Sequence, residues 1–455
     1  MNFDRMLNPT SVAVVGVSSK NDRHPANIVF KKVRLRYSVK AYAINPRGGE
    51  LNGEPLYKSL DEIPEPVDLV VIAARAEHVP ALFESCIKNN AGGAVLISGG
   101  FSEVGNDELQ EKVVSIAKEA DFPFIGPNCL GIFVPGVVDS LFTPSERMEQ
   151  VTLGNVAIVS QSGGIMVDLM FKFSAFGVGI SKAISIGNKA MAREIELIEY
   201  LGKDPDTHVI ALYIEGFNEN EGREFVKAAS SCNKPVVVLK SGKSKVGMEA
   251  VSSHTASMAG DYRVFSSILA QYGIVEARDE IEMINFCEVL SCYPRTIGNN
   301  IAIITLSGGH GASASDFCSE RGFNIPLIST ETQEKIREKL SPGIRNIASL
   351  TNPVDLTGSA LDEDFIATYE ILSDSPEFNA ILLLVLPYSP SITQDLGAKM
   401  SMPTRKRVKP FIAYTSHTDR YKIFIDGFKY NQIPVADTID GAVMMLEAMR
   451  RYQSC

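Results

Sequence analysis

Residues 155–164 read Asn-Val-Ala-Ile-Val-Ser-Gln-Ser-Gly-Gly, and residues 300–309 read Asn-Ile-Ala-Ile-Ile-Thr-Leu-Ser-Gly-Gly. The two stretches match in register, each an apolar run ending in Ser-Gly-Gly. A short apolar run closed by glycine reads as a strand buried on both faces. The match continues downstream. Val209–Glu215 parallels Ala380–Pro387, and Lys234-Pro235 before one apolar run parallels Lys409-Pro410 before another. Residues 151–293 and 299–455 are therefore expected to be two copies of one α/β unit. In each copy Ser-Gly-Gly opens a helical pattern, which turns free N–H groups and the positive helix end toward an anion. In the first copy the residues so placed are Ser160, Ser162, Gly163 and Gly164.

Upstream, apolar runs at 11–17, 39–44, 68–73, 93–97 and 122–125 alternate with helical patterns, notably 77–89 and 107–120. That alternation predicts a parallel, doubly wound sheet of the nucleotide-binding kind. A dinucleotide fingerprint is missing: after Gly16 the chain runs Val-Ser-Ser-Lys-Asn-Asp-Arg-His-Pro. The second strand ends Ile44-Asn45-Pro46-Arg47, where an NAD site wants an acid. A base there suits a phosphorylated ribose, as in NADP or coenzyme A, unless Arg47 is only a surface turn residue. Two more loops fall beyond strand ends, Ser98-Gly99-Gly100-Phe101 and Gly126-Pro127-Asn128-Cys129-Leu130-Gly131. Nothing near Cys129 supplies a base or positive charge, so packing or ligand contact is expected of it rather than nucleophilic attack. Residues Pro135–Gln150 are polar and irregular, and a linker is expected there.

The two copies differ in one place. Between Lys234-Pro235 and the next strand near Ile274 the first copy spends about 40 residues, and the second copy far fewer. The excess is 240–260, rich in Gly, Ser and Lys and without clear periodicity. It reads as an exposed, mobile loop with His254 in its middle. Such a histidine is placed either to be modified or simply to be solvated. His417 lies in a similar Ser-His-Thr triplet but at the position of Gly242 in the first copy. His310, in Gly-Gly-His-Gly, either touches a phosphate or caps a helix. Glu215 ends its strand, where a carboxylate can accept an imidazole N–H and stabilise the cation, or can merely be solvated. The run Ser241-Gly242-Lys243-Ser244 is not a phosphate loop of the Walker type, because Val237 stands where that motif needs glycine.

Composition bounds the rest. The 455 residues imply about three domains. A net charge of −10 argues against a nucleic-acid or anionic-membrane surface. Seven scattered cysteines with no C-x-x-C pair indicate neither a zinc site nor a disulfide framework. With no leader-like N-terminus and no apolar run of roughly 20 residues, a cytoplasmic protein is expected.

Taken in order, Val12–Gly16, Ile44–Arg47, Gly126–Gly131, Ser160–Gly164, Gly187-Asn-Lys-Ala190, Glu215, Ser253-His254-Thr255 and Asn352-Pro-Val-Asp-Leu-Thr357 resemble one family over nearly the whole chain. It is the α subunit of ADP-forming acyl-CoA synthetases of the acetate–CoA ligase type, in the succinyl-CoA synthetase superfamily. The resemblance implies a CoA-binding Rossmann-like domain over 1–135. Two flavodoxin-like, succinyl-CoA-synthetase-type domains then follow, 151–293 with the catalytic histidine and 299–455. It implies the reaction acyl-CoA + ADP + phosphate ⇌ carboxylate + CoA + ATP. In it His254 becomes phosphorylated, Glu215 hydrogen-bonds that histidine, and Ser160, Ser162, Gly163 and Gly164 cradle the phosphoryl group. CoA contacts are implied for Gly16, Ser18, Ser19, Asn45, Pro46, Arg47, Ala73, Ala74, Ser98, Gly99, Asn128 and Cys129. No metal site is implied on this chain. ADP/ATP and Mg2+ are expected on an ATP-grasp β subunit, in a heterotetramer of two α and two β chains acting on a small-molecule acyl substrate. The chain departs from the family's usual residues at His24-Pro25-Ala26, where glycine is common, and at Met191-Ala192-Arg193, which tends to be acidic. The alternative is a non-catalytic CoA-binding regulatory protein. The intact His254 and Glu215 argue against it.

Overall fold

The structure is a computed structural model. It describes residues 1–453 except Glu219, 255–260 and His417, and only the backbone at 252–254 and Asp419. The chain divides into two compact units, Met1–Glu280 and the residues from Ile281 onward.

The first unit holds two sheets. The first sheet contains β1 (Ser11–Val15), β2 (Lys40–Ile44), β3 (Gly49–Leu51), β4 (Glu54–Tyr57), β5 (Leu69–Ile72), β6 (Ala94–Leu96) and β7 (Phe124–Ile125), in the order β3-β4-β2-β1-β5-β6-β7. All neighbours are parallel except the β3–β4 pair. Leaving out β3, the parallel strands take the Rossmann order 3-2-1-4-5-6, whose reversal lies between β1 and β5. Every residue of β1, β5 and β6 is buried, as expected of strands covered by helices on both faces.

The second sheet contains β8 (Ile132–Val134), β9 (Val138–Asp139), β10 (Leu153–Ser160), β11 (Ile180–Ser185), β12 (Val209–Ile214), β13 (Val236–Lys240) and β14 (Val275–Ala277), in the order β14-β13-β12-β10-β11-β8-β9. The second unit has one parallel sheet, β15 (Ile301–Thr305), β16 (Val354–Asp355), β17 (Ala380–Leu384), β18 (Phe411–Tyr414) and β19 (Val435–Ala436), ordered β16-β15-β17-β18-β19. The five parallel strands of the second sheet and the five of the third share the flavodoxin order 2-1-3-4-5. Even the turns agree. The Ser160 hydroxyl donates to Ser162 O at 2.7 Å and accepts from Ser162 N at 3.2 Å, while Thr305 does both to Ser307 at 3.1 Å.

Two stretches differ from expectation. The linker expected over 135–150 begins as β9, which with β8 forms an antiparallel hairpin on the edge of the second sheet. Polar composition hid this because the segment is held by a buried ion pair. Lys32, on the helix Pro25–Arg36, meets Asp139 at 2.8 Å and donates to Leu141 O and Thr143 O. The loop expected over 240–260 is helical from Lys245 to His254. Ser244 starts that helix, its hydroxyl accepting Gly247 N at 3.1 Å and its carbonyl Met248 N at 2.8 Å, and Val251 is buried. One inward apolar residue makes no periodicity. The helix Glu280–Cys292 falls almost wholly in the second compact unit. It is buried nearly all round, polar residues included, and Glu288 on it accepts Val435 N at 2.9 Å and pairs with Lys429 at 3.2 Å.

Candidate active site

The carboxyl ends of β10, β12 and β13 lie side by side in the second sheet. Beyond β10, Ser162 caps the helix Gly163–Ala175, its hydroxyl accepting Ile165 N at 3.4 Å. The first helical N–H groups have no partner inside the helix, and no acid occupies its first turn. A Cβ on Gly163 would stand 2.8 Å from the Leu130 Cβ, whereas Gly164 faces open space. This exposed, positive helix start is suited to a phosphoryl group. The matching turn in the second unit is less so, because the Asp355 carboxylate lies against Gly308. His310 there donates to or accepts from the Ser307 hydroxyl at 3.0 Å, near the Tyr414 ring.

Beyond β12, Glu215 is buried, and the backbone of Glu215–Gly216 is held by three side chains. Gln161 Oε1 accepts Glu215 N at 2.6 Å and Gly216 N at 3.0 Å, and its Nε2 donates to Gly216 O at 2.9 Å. Lys189 Nζ donates to Gly216 O at 3.0 Å, and Lys240 Nζ to Glu215 O at 2.6 Å. Lys240, the last residue of β13, also donates to Ser241 O. Burial pushes its ammonium down to about 8. Lys189 takes φ +47° and is buried between Glu194 (3.3 Å) and Glu221 (2.8 Å). Arg193, at one of the departures, pairs with Glu196, Glu221 and Glu224. It therefore balances the acids around Lys189 instead of adding a free charge. His254 ends the helix Lys245–His254, with its side chain outside the described residues, as is all of His417.

The expected CoA residues gather at the carboxyl edge of the first sheet. Gly16 has φ +99°, and a Cβ there would sit 2.2 Å from Ala73 O, so only glycine lets the β1 and β5 loops meet at the switch point. Asn27 clamps Ser18 through N–H and C=O at 2.7 Å each, and Asn45 Nδ2 holds Val17 O at 2.7 Å. Ser19, Pro46 and Arg47 are exposed, while Ser18, Asn45, Ala73, Ala74 and Ser98 are half-buried. At the other departure, His24 caps the helix Pro25–Arg36 by accepting Ala26 N. Asn128, at φ +55°, is exposed beside Gly99, its N–H donating to Ser98 O at 2.9 Å. Cys129 points inward to Leu96 O, and burial pushes its thiol up to about 12, so it packs the loop and is no nucleophile. Backbone loops that approach closely, with an exposed base beyond β2, fit a phosphorylated nucleotide such as CoA. The site residues that sequence reasoning missed are Gln161, Asn27 and Lys240. For Gln161 and Lys240 the available signal was a polar residue at the end of a buried strand, whereas Asn27, inside the helix Pro25–Arg36, carried none.

Asn188 joins the two domains of this unit, donating to Glu103 (2.5 Å) and Gln110 and accepting from Asn128 at 3.3 Å. Beside it lies a cleft of about 300 Å³ lined by Glu103, Gln110, Gln161, Asn188, Lys189 and Asn218. Among the described residues no group of three His, Cys, Asp or Glu is placed to hold a metal ion, and no helix is long and apolar enough to cross a membrane.

A CoA binding domain model matches residues 10–135, and a succinyl-CoA ligase like flavodoxin domain model matches 153–290. The chain is 31% identical over 463 residues to the α subunit of acetate–CoA ligase (ADP-forming) I of Pyrococcus furiosus, spanning 99% of this chain and 98% of that one. The chain belongs to the ADP-forming acetate–CoA ligase family. It is also 37% identical over 389 residues to acetate–CoA ligase (ADP-forming) I of Archaeoglobus fulgidus, covering 85% of this chain but 55% of the relative. The chain thus spans about half the length of some relatives in this ligase family and nearly all of others. Among solved structures it is similar to the dinucleotide-forming acetyl-coenzyme A synthetase 1 of Ca. Korarchaeum cryptofilum in complex with phosphate and ADP. That likeness has a TM-score of 0.87 and 29% identity over 99% of this chain and 97% of that one. The family's architecture, a CoA-binding domain followed by a flavodoxin-like succinyl-CoA ligase domain, is the one the sheets display.

Proposed function

We propose that this chain is the α-type part of an ADP-forming acyl-CoA synthetase working through a phosphohistidine at His254. The observation that carries it is the convergence of three features on adjacent strand ends: the Ser160–Gly164 helix start, the buried Glu215, and the root of the helix ending at His254. Phosphate adds to the thioester carbonyl and expels the thiolate, leaving an acyl phosphate. The neutral His254 imidazole, oriented by Glu215, attacks the phosphorus, and the carboxylate leaves. The N–H groups of Gly163 and Gly164 offset the phosphoryl charge. The phosphohistidine then gives its phosphoryl group to ADP.

CoA, which supplies the thiol, is held by the loops around Gly16, Ser18, Ser19, Asn45–Arg47, Ala73, Ala74, Ser98, Gly99 and Asn128. ADP and Mg2+ sit on an ATP-grasp β chain, in a cytoplasmic heterotetramer of two α and two β chains. Relatives named as α subunits support a partner. With acetyl-CoA and labelled phosphate the chain should take up an acid-labile, base-stable label. His254→Ala should abolish it and His417→Ala should not. The purified chain alone should make no ATP. Full labelling of His254→Ala would overturn the reading and leave a CoA-binding protein without this chemistry.

A further inference from the structure

The strand registers allow the two flavodoxin-like copies to be compared position by position. Val156 pairs with Val209 as Ile301 pairs with Ala380, and Ala211 pairs with Val237 as Leu382 pairs with Ile412. In that frame Gln161, Glu215 and Lys240 correspond to Leu306, Leu386 and Thr415. Only the copy that carries His254 places a buried amide, carboxylate and ammonium at these strand ends. A fold that needed only a closed strand end would keep the leucines, since burying an ammonium is unfavourable unless it is well bonded. The Lys240 ammonium is well bonded, to Glu215 O at 2.6 Å and to Ser241 O. Two residues on, Gly242 takes φ +73°. A Cβ there would lie 3.7 Å from Lys240 Nζ and 3.3 Å from the Val251 side chain, one turn before His254. The ammonium thus sits between the Glu215 peptide and the base of the His254 helix.

We propose that Lys240 is a positioning residue for phosphoryl transfer, one cation clamping both the carbonyl of Glu215 and the root of the segment that carries His254. This rests on the phosphohistidine reading above. The clamp works while the lysine is protonated, because a neutral amine donates two weaker bonds and carries no charge. The charged groups around it are Glu215 just beyond β12, Lys243 beyond β13, Glu276 on β14 and Lys189 before the helix Glu194–Leu201. The two carboxylates favour the cation, whereas burial, Lys243 and Lys189 oppose it.

The test uses the full chain with acetyl-CoA and labelled phosphate. The rate of His254 labelling in the wild type should fall as pH rises through about 8, and Lys240→Met should be at least tenfold slower at pH 7 and flat across that range. Half-saturation by acetyl-CoA should move less than threefold, and Lys240→Arg should recover most of the rate. A purely structural lysine would lower stability without removing the pH limb. Equal rates and equal pH limbs in the wild type and Lys240→Met would overturn the proposal. If the wild type takes no label, the phosphohistidine reading falls. The clamp is then judged by amide exchange over residues 241–251, which Lys240→Met should speed at least tenfold and Lys240→Arg should not. Unchanged exchange would overturn it.

Discussion

Replacing Gln161 with alanine should loosen the strand end that carries Glu215. Gln161 is buried, and its Oε1 is the acceptor for the Glu215 and Gly216 amides at 2.6 and 3.0 Å. Two other groups it bonds keep a partner: Gly216 O retains Lys189 at 3.0 Å, and Glu194 retains Lys189 at 3.3 Å. The change therefore orphans two buried N–H groups, each at a cost of about 1–3 kcal/mol. Gln161 also lines the 300 Å³ cleft, so water can enter and return part of that loss. A net local penalty of about 2–4 kcal/mol follows. It should be read as native-state hydrogen exchange at the Glu215 and Gly216 amides about 30- to 1000-fold faster than in the wild type. Gln161→Glu keeps the acceptor, so it should preserve protection of these two amides while setting a second carboxylate against Glu194. Exchange unchanged within about threefold in Gln161→Ala would refute the argument that this side chain holds the Glu215 peptide.

Arg47 is exposed, so Arg47→Ala should leave stability within about 0.5 kcal/mol. It should weaken CoA binding by about tenfold and dephospho-CoA less, by calorimetry; equal losses would show that the base reads no phosphate. Cys129, with its thiol near 12, should resist iodoacetamide at pH 8 in the native chain and react once unfolded, by mass spectrometry. Asp204 is buried, which acts to raise its carboxyl, yet Lys182 at 2.6 Å and the Thr207 hydroxyl hold it below the usual range. A depressed carboxyl adds stability that is present above the unfolded value of about 4 and lost as pH falls through the folded value. Urea unfolding should show Asp204→Asn less stable than the wild type at pH 7, with the gap closing toward pH 3.

The copy relationship and the parallel sheets were legible in the sequence because buried parallel strands must be apolar throughout. Val156–Val159 and Ile301–Ile304 carry that signal without help from the rest of the chain. Gly16 was legible too, since a turn that brings β1 against Ala73 O admits no side chain. The helix Lys245–His254 was hidden because one buried valine and a serine start leave no period to count. The hairpin at 132–139 was hidden because Lys32, distant in sequence, supplies the charge that lets Asp139 be buried.

The site divides along the same line. Residue type and local spacing alone determined the Ser-Gly-Gly helix start and the acid closing β12, because a helix N-terminus and a strand end are local features. Only the tertiary structure decided that Gln161, Lys189 and Lys240 converge on the Glu215–Gly216 peptide. A strand end in the sheet interior leaves its N–H and C=O groups away from water. What satisfies them depends on which side chains the neighbouring strands and loops bring there.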